Sequence, residues 1–148
     1  MKWFHLAFGL AVFIAFVVTG RFMRVDFPDK DVIPQELRLL MRSRHIYILF
    51  SAIIHLALGV YFQLRPNWLQ EILQVAGSAA LIVSSVLLVI AWREETYDLQ
   101  HFSDLSRNGI YAALWGIGLH LVGGISLPSS ISGYRTVNSQ KSDPGASE

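Results

Sequence analysis

Two histidines lie deep inside apolar stretches of this sequence, where few other side chains could do chemistry. His55 falls within residues 46–64 and His120 within residues 109–127. A neutral imidazole can bind a metal or a haem iron, or relay a proton. Because ionisable residues are rare in such stretches, each is a candidate functional residue by default.

The two histidines are predicted to lie at similar depth. If both stretches are helices crossing a membrane in the same direction, His55 lies about 14 Å in and His120 about 16 Å in. Their rings could then face one another inside the protein, as the axial ligands of one b-type haem or as part of a quinone-linked electron-transfer module. His55 and His120 are therefore candidate cofactor-binding residues. The alternative is that each only makes a hydrogen bond to a neighbouring helix.

Other kinds of chemistry find little support. Cysteine is absent, which excludes disulfides, iron–sulfur clusters and thiol nucleophiles. No Asp or Met is placed to complete a zinc or copper site, and no Arg or Lys lies within either stretch to meet haem propionates. There is also no nucleophile constellation, paired carboxylate or phosphate-binding glycine loop. We expect no catalytic residue, no metal and no resident cofactor, with haem b as the alternative, and no enzymatic activity of the chain's own.

The composition and the apolar runs predict the fold that surrounds these histidines. Of 148 residues, 53% are hydrophobic and 16% charged, more apolar surface than a small soluble domain can bury. Four apolar runs are each long enough to cross a bilayer. We predict an all-α membrane protein, an antiparallel bundle of four transmembrane helices in residues 1–127, at about 3–20, 46–64, 69–92 and 109–127. An amphipathic surface helix is expected at about 35–42 and a disordered tail at 128–148.

The distribution of Lys and Arg predicts the orientation. The segments at 21–45 and 93–108 carry most of these residues, which favours a multi-pass protein of the cell inner (plasma) membrane with both loops cytoplasmic and both termini outside. Arg42, Arg44 and Arg107 could there bind anionic lipid headgroups. The net charge of +1 is too small to favour nucleic acid as a partner.

Small residues at helical spacing predict where the helices touch. The expected stripes are Ala112, Gly116, His120 and Gly124 on the fourth helix, Ser51, His55 and Gly59 on the second, and Ala76, Ala80 and Ser84 on the third. Both histidines then face protein. Together these features favour a structural or accessory component, or a subunit of a larger assembly with a membrane protein partner or a second copy. A transporter would require a more polar lining.

Overall fold

The computed structural model describes residues 1–25, 33–63, 67–95 and 104–125. These residues form four helices and no strand: α1, Lys2–Val25; α2, Gln35–Tyr61; α3, Trp68–Glu94; and α4, Asp104–Gly124. The described part of the protein is therefore all-helical, as the sequence predicted. The tail expected to be disordered, 128–148, lies outside the described residues, as do parts of both loops expected to be cytoplasmic.

α2 is one continuous helix of 27 residues where the sequence predicted two. It includes both the expected surface helix at 35–42 and most of the span expected at 46–64. Pro34 precedes its first turn with φ −49° and ψ 141°, and Phe62, with φ −65° and ψ 128°, ends it. No proline lies between these two residues, and Gly59 is the sole glycine, so nothing breaks the backbone hydrogen bonds. α2 thus continues through residues 43–45, which lie between the two helices expected from the sequence.

α4 begins five residues before its predicted start at 109, and a residue outside α4 caps its first turn. The carboxylate of Glu95, just after α3, accepts hydrogen bonds from the backbone N–H groups of Leu105 and Ser106 and from the Ser106 hydroxyl. These donors in the first turn would otherwise have no helical partner. At the other end of α3, the Asn67 side chain caps the helix by accepting from the Leu69 N–H at 3.1 Å.

Three of the four helices, α1, α2 and α3, are long and apolar enough to cross a membrane. Their outer faces carry many large exposed apolar side chains. On α1 these include Leu10, Ile14, Val17 and Val18.

The helices associate mainly as two pairs, α1 with α2 and α3 with α4, and α2 joins the pairs by packing on α3. Contacts run in opposite order along the two members of each pair. On the first pair Leu6 lies by Gly59 and Thr19 by His45, whereas on the second Gly109 lies by Leu88 and Gly123 by Gln74. An apolar core joins the pairs: it consists of Val12, Ile48 and Ala52 with Phe8, Phe16, Val89 and Trp92 around them.

Candidate functional site

Three histidines from three different helices form one cluster. His5 of α1 lies between the other two: its ring centroid is 5.1 Å from that of His55 on α2 and 6.1 Å from that of His120 on α4. His5 and His55 are fully buried, with 0% and 1% of their surface exposed, and His120 is half-buried. Phe62 closes the cluster with edge contacts to His5 and His120.

Hydrogen bonds join the three rings through α3. His5 and His55 share one bond between their Nδ1 atoms at 2.9 Å. The Ser78 hydroxyl lies 2.9 Å from His5 Nε2 and 3.1 Å from His120 Nε2, and it can also donate to the Gln74 carbonyl at 2.9 Å. Ser78 is therefore the connection between α1 and α4.

The chain of hydrogen bonds continues on the far side of His55. Its Nε2 lies 3.0 Å from the Ser85 hydroxyl and 3.3 Å from the Leu81 carbonyl. Ser85 in turn shares a short hydrogen bond with Ser51. The result is one unbroken series of polar side chains contributed by all four helices: His120, Ser78, His5, His55, Ser85 and Ser51.

Glycines set the helix spacing that this series requires. A Cβ atom added at Gly59 would lie 2.9 Å from the Leu6 Cα, and one added at Gly9 would lie 2.9 Å from the Leu56 backbone nitrogen. Side chains larger than hydrogen would push α1 and α2 apart. At these two positions the sequence therefore permits the close backbone contact that brings His5 against His55.

The structure places the two predicted histidines in the same cluster but joins them indirectly. His55 faces protein as expected and bonds to His5 and Ser85, while His120 bonds to Ser78. His5 is not among the predicted site residues, because its position near a helix end does not distinguish it in the sequence. A usable signal was present: the buried residues of α1, which are His5, Gly9, Val12 and Thr19, follow one another at helical spacings of four, three and seven.

The predicted contact face of α3 was partly wrong. Ala76 is exposed, and the buried face instead follows Gly77, Ser78, Leu81, Ser84, Ser85 and Leu88. This face lies about one residue away from the predicted one. Serine and glycine thus mark the contact side of α3 more reliably than alanine, which is as well suited to lipid as to protein.

The cluster is arranged for hydrogen bonding more than for coordination. Each ring nitrogen of His5 and His55 already lies within hydrogen-bonding distance of another side chain. An axial bond to a haem iron would have to replace one of these contacts. Among the described residues, no three His, Asp or Glu side chains are grouped to hold a metal ion.

A second polar site lies at the opposite end of α2, α3 and α4. The Arg44 guanidinium is buried, contacts the Glu95 carboxylate at 3.5 Å and donates to the Ser106 hydroxyl at 3.3 Å. Of the three arginines predicted to meet lipid headgroups, Arg42 and Arg107 are exposed, and Arg107 pairs with Asp104 at 2.9 Å. Arg44 instead links the end of α3 to the start of α4 through Glu95 and Ser106.

Comparisons with protein-family models, with curated proteins and with solved structures find no match to this chain.

Proposed function

We propose that this chain is an integral membrane protein built as an antiparallel bundle of four transmembrane helices. Three helices have the length and hydropathy of membrane spans. α4 supports the fourth span because it packs along α3 from Gly109 to Gly123, a distance of about 21 Å at 1.5 Å per residue. The opposite order of contacts within each helix pair supports the antiparallel arrangement.

The distribution of aromatic and basic residues supports an orientation. Trp3, Tyr61 and Trp68 begin α1, end α2 and begin α3, at one end of the bundle, and are at least 70% exposed. Such side chains suit a membrane–water interface, here the one on the outer side. The opposite end carries Arg21, Arg24, Arg38, Arg42 and Arg93. We therefore propose that both termini are outside and that both loops, 21–45 and 93–108, are cytoplasmic in the plasma membrane.

Within that membrane, we propose a role without catalysis of its own, as a structural or accessory component or a subunit of a larger assembly. One observation carries this proposal: the buried polar side chains bond to one another across all four helices. Such interhelical hydrogen bonds contribute about 0.6 to 2 kcal/mol each in lipid and fix which helix faces meet. The network thus supports a rigid bundle whose lipid-exposed surface is free to contact a partner.

Extraction experiments test this proposal. The chain should stay in the membrane pellet after an alkaline carbonate wash, and its release would contradict membrane integration. In a mild detergent it should migrate as a particle much larger than one chain with its micelle. A small monodisperse particle would contradict the assembly role.

An electron-transfer module using His55 and His120 is the second candidate function. It is favoured by the presence of both rings in a single cluster with His5. An absorption spectrum of the purified protein tests the haem form of this candidate. A Soret band that disappears in both His55→Ala and His120→Ala would establish it, whereas colourless protein would exclude a bound haem.

A further inference from the structure

A cavity of about 480 Å³ lies between α2 and α4, with α3 as its floor. This volume is within the range of small-molecule sites, which are mostly apolar with a few polar groups that orient the ligand. Its apolar wall includes Ile54, Leu58, Leu81 and Ile117, and its polar groups include Gln74 and His120. The cavity therefore combines hydrocarbon walls with a polar contact point.

His120 presents a hydrogen-bonding atom that none of the described residues uses. Its Nε2 is within 3.1 Å of the Ser78 hydroxyl, whereas its Nδ1 has no hydrogen-bond partner among the described residues. The side chain is half-buried and lines the cavity. A ligand in the cavity can thus meet one imidazole nitrogen inside an apolar site.

The hydrogen-bond series behind His120 lets this nitrogen act either as a donor or as an acceptor. When the Ser78 hydroxyl donates to His120 Nε2, the neutral ring carries its proton on Nδ1. When His120 Nε2 donates to Ser78, Nδ1 is left as an acceptor, and the Ser78 proton turns to His5 or to the Gln74 carbonyl. Both arrangements keep every ring neutral, which a low-dielectric site requires.

We propose that this cavity binds the head group of a lipid-soluble quinone. A carbonyl of the oxidised form accepts from His120 Nδ1–H, and a hydroxyl of the reduced form donates to the unprotonated Nδ1. The planar head lies beside Phe62, whose ring centroid is 5.3 Å from that of His120. An isoprenoid tail leaves between α2 and α4, past exposed Ala57 and Leu121, into the lipid. This inference rests on the proposed placement in a membrane.

A quinone accounts for the cavity better than a lipid acyl chain does. An acyl chain would fill the same volume but would leave His120 Nδ1 facing hydrocarbon without a partner, which is costly for a buried polar atom. The oxidised quinone accepts a hydrogen bond from protonated Nδ1, and the reduced quinol donates one to unprotonated Nδ1. Either form therefore gives this atom a partner. The assignment is based on this match: His120 Nδ1 can donate or accept, and the quinone oxygen can accept as a carbonyl or donate as a hydroxyl.

The test uses the full chain in lipid nanodiscs, titrated with decylubiquinone while tryptophan fluorescence is recorded. We expect saturable quenching by one quinone per chain. His120→Phe keeps a ring of similar shape without its nitrogens and should raise the Kd about fivefold to tenfold, the loss of one hydrogen bond. His45→Phe is the matched control, because His45 is a histidine at the distant end of α2, and its Kd should equal that of the parent.

A second variant keeps the test decisive if His120→Phe does not fold. Ile117→Trp fills the cavity from its apolar wall, leaves the hydrogen-bonded residues in place, and should abolish saturable quenching. Decanol, which has the tail without the quinone ring, should not displace decylubiquinone. Displacement by decanol, or quenching that never saturates, would overturn the proposal. If the chain does not enter nanodiscs at all, it is the proposed membrane placement that fails.

Discussion

His5 contacts all three of the other helices: it bonds to His55 on α2 and Ser78 on α3, and its ring contacts that of His120 on α4. It is fully buried although it is only the fourth residue of α1. Its removal would leave His55 Nδ1 and Ser78 each with one fewer partner. At the scale of single residues, the network therefore depends on the least expected of its histidines.

We predict that His5→Ala lowers the free energy of unfolding by about 1 to 3 kcal/mol, the cost of leaving buried polar groups without partners. Thermal unfolding in detergent, followed by circular dichroism, measures the change. Trp3→Ala is the control, because Trp3 is a larger side chain two residues away that is 82% exposed. Equal losses in the two variants would show that the network contributes nothing to stability.

The buried arginine at the other end of the molecule gives a second prediction. Arg44→Met keeps most of the apolar stem but leaves the Glu95 carboxylate, whose side chain is 12% exposed, without its ion pair. Breaking such a pair from one side costs about 3 to 5 kcal/mol. Arg107→Ala breaks an exposed pair with Asp104 and should cost less than about 1 kcal/mol. The same unfolding assay compares them, and a loss in Arg44→Met no larger than that in Arg107→Ala would refute the structural role of Arg44.

At the scale of helices, glycine positions on α4 distinguish the face that contacts α3 from the face that contacts no other helix. A Cβ added at Gly116 would lie 2.9 Å from the Gly77 carbonyl oxygen and closer still to Leu81, whereas one added at Gly118 would meet nothing within 4 Å. We expect Gly116→Ala to destabilise the α3–α4 pair by about 1 to 3 kcal/mol through overpacking. Gly118→Ala should be neutral or stabilise by up to about 1 kcal/mol, because alanine is the better helix former.

The comparison of Gly116→Ala with Gly118→Ala uses one helix, one substitution and one assay. Denaturation in mixed micelles measures both free energies of unfolding. If both variants changed stability by the same amount, an effect common to any Gly→Ala change in α4 would explain the result, and the close α3–α4 contact at Gly116 would be wrong.

Helix positions could be predicted from the sequence because apolar runs of sufficient length have few alternatives. The contact faces and the end residues of the helices were harder to predict from the sequence. Ala76 on α3 was predicted to face protein and is exposed, since alanine distinguishes poorly between lipid and a neighbouring helix. The start of α4 was missed because its cap comes from Glu95, a residue of the preceding segment that only the tertiary structure brings near.

Some residues of the histidine cluster could be predicted from the sequence and others could not. His55 and His120 were identified from hydropathy, because an imidazole within an apolar run stands out. His5 and Ser78 were not, since their roles depend on how α1 and α3 rotate about their own axes. Rotation is set by contacts at Gly9, Gly59 and Gly77, and these are not fixed by periodicity alone.

For the whole molecule, the proposed orientation predicts the location of both loops and both ends. Alkaline phosphatase fused after Glu148 should be active, since it folds only outside the cytoplasm, and the same enzyme inserted at residues 96–103 should be inactive. A fluorescent protein at the two positions should give the opposite pattern. Phosphatase activity from the 96–103 insertion alone would invert the proposed topology.

The continuity of α2 has a mechanical consequence for the whole molecule. Its 27 residues form a rod of about 40 Å, roughly 10 Å longer than the hydrocarbon layer is thick. No proline or glycine lies between the buried Arg44 and His55, so this part of α2 has none of the residues at which helices commonly kink. A displacement or rotation of the first turns of α2 by a neighbouring protein would therefore be transmitted along the helix to His55 near its other end.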